Sequence, residues 1–75
     1  MGILLLSELA KGERATIESF TDYEASLKLM EMGFLPGETV LVSKIAPLGD
    51  PISVKIGTYQ LSLRKEEANA VMVQL

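Results

Sequence analysis

The sequence predicts a mainly β fold, a small barrel or sandwich of about five strands with one helix inserted between two of them. Turn-forming residues recur every eight to twelve positions, which is typical of small all-β domains. Two neighbouring stretches alternate apolar and polar residues, and a single stretch carries the signals of a helix. All 75 residues are expected to form one domain, because domains contain roughly 50 to 250 residues.

The clearest pair of strands is Ile52–Ile56 followed by Tyr59–Leu63. Every second residue of each stretch is apolar, so the apolar side chains share one face. Gly57 and Thr58 lie between the stretches. A glycine in the first position of a two-residue loop favours a type II′ turn, which requires a positive φ there. The sequence therefore predicts a β-hairpin.

Three further strands are expected at Arg14–Phe20, Thr39–Ile45 and Val71–Gln74. Residues 65–70 lie between the last two strands and are too few for a long helix. We expect a single helical turn or a 3₁₀ segment there.

The helix is expected over residues 22–32. Thr21 and Glu24 have the spacing of a capping box, in which their side chains accept hydrogen bonds from exposed backbone amides. Gly33 is suited to end the helix in a left-handed conformation.

The predicted helix carries two apolar stripes, whereas an ordinary surface helix has one. The first stripe holds Tyr23, Leu27 and Met30, and the second holds Ala25, Leu29 and Met32. Either the sheet encloses the helix deeply, or part of the second stripe contacts a partner. Methionine suits both interpretations, because it fills irregular cores and also lines adaptable binding surfaces.

The composition excludes several chemistries. The chain contains no cysteine and no histidine, which rules out disulfides, thiolate nucleophiles and imidazole ligands. No glycine-rich phosphate loop is present, and the carboxylate pairs lack the apolar setting that acid–base catalysis requires. We expect no enzyme activity, no cofactor and no metal site. Weak binding of a divalent cation by Glu24 and Glu31 stays open.

The charge balance disfavours a nucleic-acid partner. Ten acidic residues outnumber seven scattered basic residues, whereas nucleic-acid binding depends on clustered lysine and arginine. No apolar run approaches the roughly 20 residues that cross a membrane. The sequence therefore predicts a cytoplasmic protein that is not itself inserted in a membrane, although its partner can be a membrane protein.

Residues 46–51 form the segment most suggestive of binding. Pro47 and Pro51 stiffen it, Gly49 permits a turn, and Leu48 lies in the middle. Two interpretations stay open. Leu48 folds back over the core as a lid, or a pre-ordered loop presents it as an apolar anchor.

Three motifs in order resemble the FeoA family. They are MEMGFLPG at residues 30–37, APLGDP at residues 46–51 and LSLRKEEA at residues 61–68. The resemblance extends over the whole chain, so residues 1–75 are interpreted as a single FeoA-like domain. It implies a small SH3-like β-barrel with one inserted α-helix.

The resemblance also implies a non-catalytic, cytoplasmic role in bacterial ferrous iron uptake. The implied partner is the G-protein region of the membrane transporter FeoB, which would recruit the protein to the inner face of the membrane. We expect the contact surface to contain Pro47, Leu48, Gly49, Asp50, Pro51, Met32, Phe34 and Arg64. Pairing of Arg64 with a local carboxylate is the alternative for that residue, and weak self-association through open strand edges stays open.

An alternative function is a metal-responsive regulatory domain, because a similar domain occurs at the C-terminus of iron-dependent repressors. Ferrous iron usually prefers some nitrogen or sulfur ligands, and this sequence offers neither histidine nor cysteine. We therefore favour the transport accessory.

Overall fold

The structure, a computed structural model, describes residues 2–75. Within them it contains six strands, two helices and a 3₁₀ turn at Leu6–Glu8. In chain order these are β1 (Ile3–Leu5), β2 (Arg14–Phe20), α1 (Tyr23–Glu31), β3 (Thr39–Ile45), β4 (Ile52–Ile56), β5 (Tyr59–Leu63), α2 (Lys65–Ala68) and β6 (Val71–Gln74). The mainly β prediction with one inserted helix is therefore confirmed.

All neighbouring strands of the sheet are antiparallel, in the order β1-β6-β2-β3-β4-β5. Register shifts between Ile17 and Ser19 and between Val42 and Lys44 bend the sheet, as bulges do. The two outer strands, β1 and β5, do not pair with each other. The sheet is thus curved but open, and the predicted barrel is one only in a loose sense.

The prediction of about five strands missed β1. This strand has only three residues, too few to show an alternating pattern. It exists because Ile3, Leu4 and Leu5 pair with Gln74, Val73 and Met72 of β6. Such long-range pairing leaves no local signal in the sequence.

The predicted capping box is wrong by one residue. Helix α1 begins after Asp22, whose carboxylate Oδ1 accepts a hydrogen bond of 2.7 Å from the Ala25 amide. The backbone N–H of Thr21 instead donates to the Ala70 carbonyl at 2.9 Å. Thr21 is therefore bonded to the strand side of the helix start. The N-cap is the next residue whose side chain can accept a hydrogen bond from a backbone amide, Asp22.

The predicted helix end is confirmed at Gly33, which has a φ of +103°. The Gly33 amide donates to the Met30 carbonyl and the Phe34 amide donates to the Leu29 carbonyl, both at 3.0 Å. This pair of bonds is a Schellman motif, which usually brings the residue after the glycine against the last apolar turn of the helix. Leu29 and Phe34 both lie in the core, 2% and 0% exposed.

The core lies between the concave side of the sheet, α1, α2 and the 3₁₀ turn. Its large and fully buried side chains are Phe34, Leu6, Ile17, Leu29, Leu63, Val40, Val42, Val54, Val71 and Val73. The β4–β5 hairpin that contributes to it turns at Gly57, with a φ of +60°, and no other residue type in residues 2–75 has a positive φ. A positive φ at Gly57 followed by a negative φ at Thr58 confirms the type II′ turn.

Two leucines of α1 test which face of the helix is buried. Replacing Leu29, which is 2% exposed, by alanine should lower the free energy of unfolding by about 2–5 kcal/mol, because it leaves a cavity. Replacing Leu27, which is 50% exposed, should cost less than about 1 kcal/mol. Urea denaturation of the two variants measures the difference, and equal losses would contradict the assignment of the faces.

Candidate functional site

The loop at residues 46–51 presents Leu48 to solvent. The Gly49 amide donates to the Ala46 carbonyl at 2.7 Å, and the Ala46 amide donates to the Pro51 carbonyl at 3.1 Å. These bonds close the loop at its base, and the Leu48 side chain at its tip is 95% exposed. The lid interpretation of Leu48 is therefore wrong, because a lid would be buried.

The side chain of Asp50 connects the loop to α2 by a hydrogen bond. Oδ1 of Asp50 accepts a hydrogen bond of 3.0 Å from the backbone amide of Lys65, the first residue of α2. Arg64 precedes this amide and is exposed. The structure thus brings together the predicted loop residues and Arg64, although they lie far apart in the sequence.

Glu67 connects α2 to α1 by an ion pair with Lys28. Oε1 of Glu67 accepts a hydrogen bond of 3.0 Å from the Arg64 amide, and Oε2 lies 2.9 Å from Nζ of Lys28. The Lys28 ammonium and the Arg64 amide together hold the pKa of Glu67 below its usual value, because both stabilise the charged carboxylate. The loop, α2 and α1 are therefore joined in series.

Helix α1 turns its first apolar stripe to solvent. Tyr23 is 76% exposed and Leu27 50% exposed, and Met30 on the same stripe is also exposed. Ala25 and Met32 of the second stripe pack against the core with Leu29. The sheet does not enclose the helix deeply, because the first stripe is exposed. The second stripe packs against the core, which disfavours the alternative that it contacts a partner.

Two predicted contact residues lie away from solvent. Phe34 is completely buried, and Met32 is half-buried against the core. Their positions follow from the turn at Gly33, which directs the chain inward after α1. The helix was predicted correctly, but the expected contact surface included Met32 of the second stripe and no residue of the exposed first stripe. Leu29 lies five residues before Phe34, with Gly33 between them. In a Schellman motif this spacing brings two apolar side chains together, so it is the sequence signal that could have identified the buried stripe.

Neither a metal cluster nor a membrane span is found in the described part of the chain. No group of three acidic side chains in residues 2–75 could hold a metal ion. None of the helices there is long and apolar enough to cross a bilayer.

A cleft of about 260 Å³ between α1 and α2 is lined by Asp22, Ala25, Lys28, Leu29, Glu66, Glu67 and Ala70.

Comparison with known proteins places the chain among FeoA domains. The FeoA domain family matches residues 4–75. A relative from Porphyromonas gingivalis (strain ATCC BAA-308 / W83) is an Fe(2+) transport protein A/Fe(2+) transporter FeoB fusion protein, 41% identical over 71 residues. The match covers 93% of this chain but only 8% of that protein.

Solved structures of similar fold include the following two. The first is Stenotrophomonas maltophilia FeoA complexed with zinc, described as a procaryotic SH3 domain protein. It is 34% identical, with a TM-score of 0.82 over 95% of this chain and 89% of that chain. A manganese-dependent transcriptional repressor, 19% identical, has a TM-score of 0.85 over 96% of this chain and 41% of that chain. The similarity to the FeoA structure confirms the prediction of an SH3-like fold. The similarity to the repressor, at 19% identity, shows the fold alone.

Replacing Glu67 by glutamine tests the fastening of α2. Glutamine keeps an oxygen for the Arg64 amide but loses the charge that pairs with Lys28, so the variant should be less stable at pH 7 by about 0.5–1 kcal/mol. Because the pKa of Glu67 is lowered by folding, this stabilisation is present above about pH 4.5. It is lost as the pH falls through the folded-state pKa.

The measurement is chemical denaturation between pH 7 and pH 3, and the matched control is Glu66→Gln. Glu66 is exposed and makes no hydrogen bond or ion pair with another of residues 2–75. Its variant should follow the wild type at every pH. A Glu67→Gln difference that stays constant as the pH falls would contradict the ion pair.

Proposed function

Because the chain belongs to the FeoA family, we propose that it is a non-catalytic accessory module of bacterial ferrous iron uptake that binds the G-protein region of an FeoB transporter. The observation that carries the proposal is the fusion of a similar domain to FeoB in the Porphyromonas gingivalis relative. Fusion keeps two partners at a high effective concentration. The proposal therefore places this chain beside the transporter, at the inner face of the membrane.

Leu48 is the apolar anchor of the proposed contact. Its side chain is 95% exposed, so nearly all of it is available for burial, which is worth about 1.5–3 kcal/mol for a leucine. The hydrogen bonds at the base of the loop and the bond from Lys65 to Asp50 hold the tip in place. Little conformational entropy therefore remains to be lost on binding.

The exposed stripe of α1 extends the proposed contact. Tyr23, Leu27 and Met30 have the i, i+4, i+7 spacing with which a helix inserts apolar side chains into a groove. Tyrosine and arginine are also the residues that most often dominate binding energy. Arg64, which is exposed beside the loop, adds a positive charge to these apolar anchors.

The proposal keeps Pro47, Gly49, Asp50 and Pro51 as the supports of Leu48. It leaves out Phe34 and Met32, whose side chains belong to the core. The non-catalytic part rests on the composition, because the chain has no histidine and no cysteine, two of the side chains that most often act as general base or nucleophile.

Titration of the isotope-labelled protein with the purified cytoplasmic G-protein region of the transporter tests the contact. We expect the amide signals of Leu48, Gly49, Leu27 and Met30 to shift. The titration is run without nucleotide, with GDP and with a GTP analogue. Unmoved signals at Leu48 and Gly49 in all three conditions would contradict the proposal.

Replacing Leu48 by aspartate should weaken binding at least about tenfold, which corresponds to 1.4 kcal/mol. The free energy of unfolding of the Leu48→Asp variant should differ from that of the wild type by less than about 0.5 kcal/mol, because the Leu48 side chain is almost fully exposed. Leu75→Asp is the matched control, since Leu75 is also exposed, at 59%, and lies outside the proposed surface. Equal weakening by both variants would show that Leu48 is not the anchor.

A further inference from the structure

The outer edge of β5 carries unused hydrogen-bonding groups. Ile56 pairs with Tyr59 across the two-residue turn, and Val54 pairs with Leu61. Such pairs exchange hydrogen bonds at alternate residues, so the N–H and C=O groups of Gln60 and Ser62 point away from β4. No other strand pairs with this edge, and no hydrogen bond from elsewhere in residues 2–75 reaches these groups.

This edge lacks the features that usually prevent strand association. Sheet edges are normally protected by charged side chains, proline or very short strands. Edge strand β1 is short, with three residues, but β5 has five residues and reads YQLSL, without charge or proline. Gln60 and Ser62 are both exposed. The edge of β5 is therefore open to a further strand.

We propose that β5 pairs antiparallel with β5 of a second copy of the chain, about a two-fold axis through Leu61. This register joins all five residues of each strand. It places Gln60 opposite Ser62 of the second copy, and Ser62 opposite its Gln60. Because these residues carry the outward groups, each pair exchanges an N–H and a C=O, as antiparallel pairing requires.

Charge complementarity favours a second copy over an unrelated strand. The same register places Arg64 of the second copy opposite Thr58. Thr58 lines a groove of about 440 Å³ together with Gly33, Leu35, Glu38, Ile56, Gly57 and Tyr59. Glu38 and Arg64 are exposed, and neither forms an ion pair within residues 2–75.

The arginine side chain also suits the walls of this groove. Leu35 and Tyr59 are exposed apolar groups, 46% and 71%. The aliphatic stem of Arg64 would cover them while its guanidinium reaches the Glu38 carboxylate. The two-fold axis repeats this contact, so one pairing satisfies both strand edges and both grooves. The interface is small, and we expect a weak dimer of the class below roughly 1,200 Å².

Sedimentation equilibrium and amide hydrogen exchange over a range of protein concentrations test the proposal together. We expect a monomer–dimer equilibrium. The Gln60 and Ser62 amides should gain more than tenfold protection as dimer forms, while Leu61, already bonded to β4, should change little. A protein that stays monomeric, with Gln60 and Ser62 unprotected at the highest concentration, overturns the proposal.

Ser62→Lys should raise the dimer dissociation constant at least tenfold, because it brings charge to the edge. Thr16→Lys is the matched control. Thr16 is exposed on β2, which is paired on both sides, so this variant should dimerise like the wild type. A dimer that persists unchanged in Ser62→Lys overturns the proposal by placing the interface elsewhere.

A charge exchange tests the register. Glu38→Arg and Arg64→Glu should each raise the dissociation constant by about three- to tenfold, the range expected for two exposed ion pairs. The double variant should return to within about twofold of the wild type. Absence of this rescue overturns the proposed register. If the Gln60 and Ser62 amides become protected from exchange only after another protein is added, the choice of a second copy as partner is overturned. Arg64 belongs to both proposed surfaces, so the transporter contact is judged separately by the Leu48→Asp variant, because Leu48 lies outside the β5 edge.

Discussion

The turn that ends α1 is the constraint on which the proposed contact surface depends. The hydrogen bonds from Gly33 to Met30 and from Phe34 to Leu29 set the direction in which the chain leaves the helix. Leu29 and Phe34 lie in the core, while Tyr23, Leu27 and Met30 lie in solvent. A helix with two apolar stripes could pack either way by hydrophobicity alone. The geometry of the turn at Gly33 decides between them.

A second constraint holds the exposed groups in one arrangement. Asp50 connects the loop to the start of α2, and Glu67 connects α2 to Lys28 of α1. Both contacts use carboxylates at the surface, so each contributes little to overall stability. Their effect is on geometry, since they connect the loop that carries Leu48 to α2 and α2 to α1. A chain of 75 residues has a small core, and such surface contacts can position the loop that carries Leu48 without enlarging that core.

Most of the fold could be predicted because its signals are local. The alternation in β4 and β5, the glycine of their turn and the glycine after α1 each act over a few residues. Strand β1 could not be predicted, because only its pairing with β6 makes it a strand. The helix cap moved from Thr21 to Asp22 because the Thr21 amide bonds to Ala70, a residue distant in the sequence.

The candidate site divides in the same way. Leu48 and its prolines were predicted from the sequence and are exposed as one loop. The burial of Phe34 was missed, because it follows from the turn at Gly33 that directs the chain into the core after α1. A photoreactive side chain in place of Leu48, activated in cells that contain the transporter, tests the central claim most directly. We predict crosslinks to the G-protein region of the transporter, and none from the same group at Leu75. Crosslinks from Leu75 alone, or from neither position, would contradict the proposed surface.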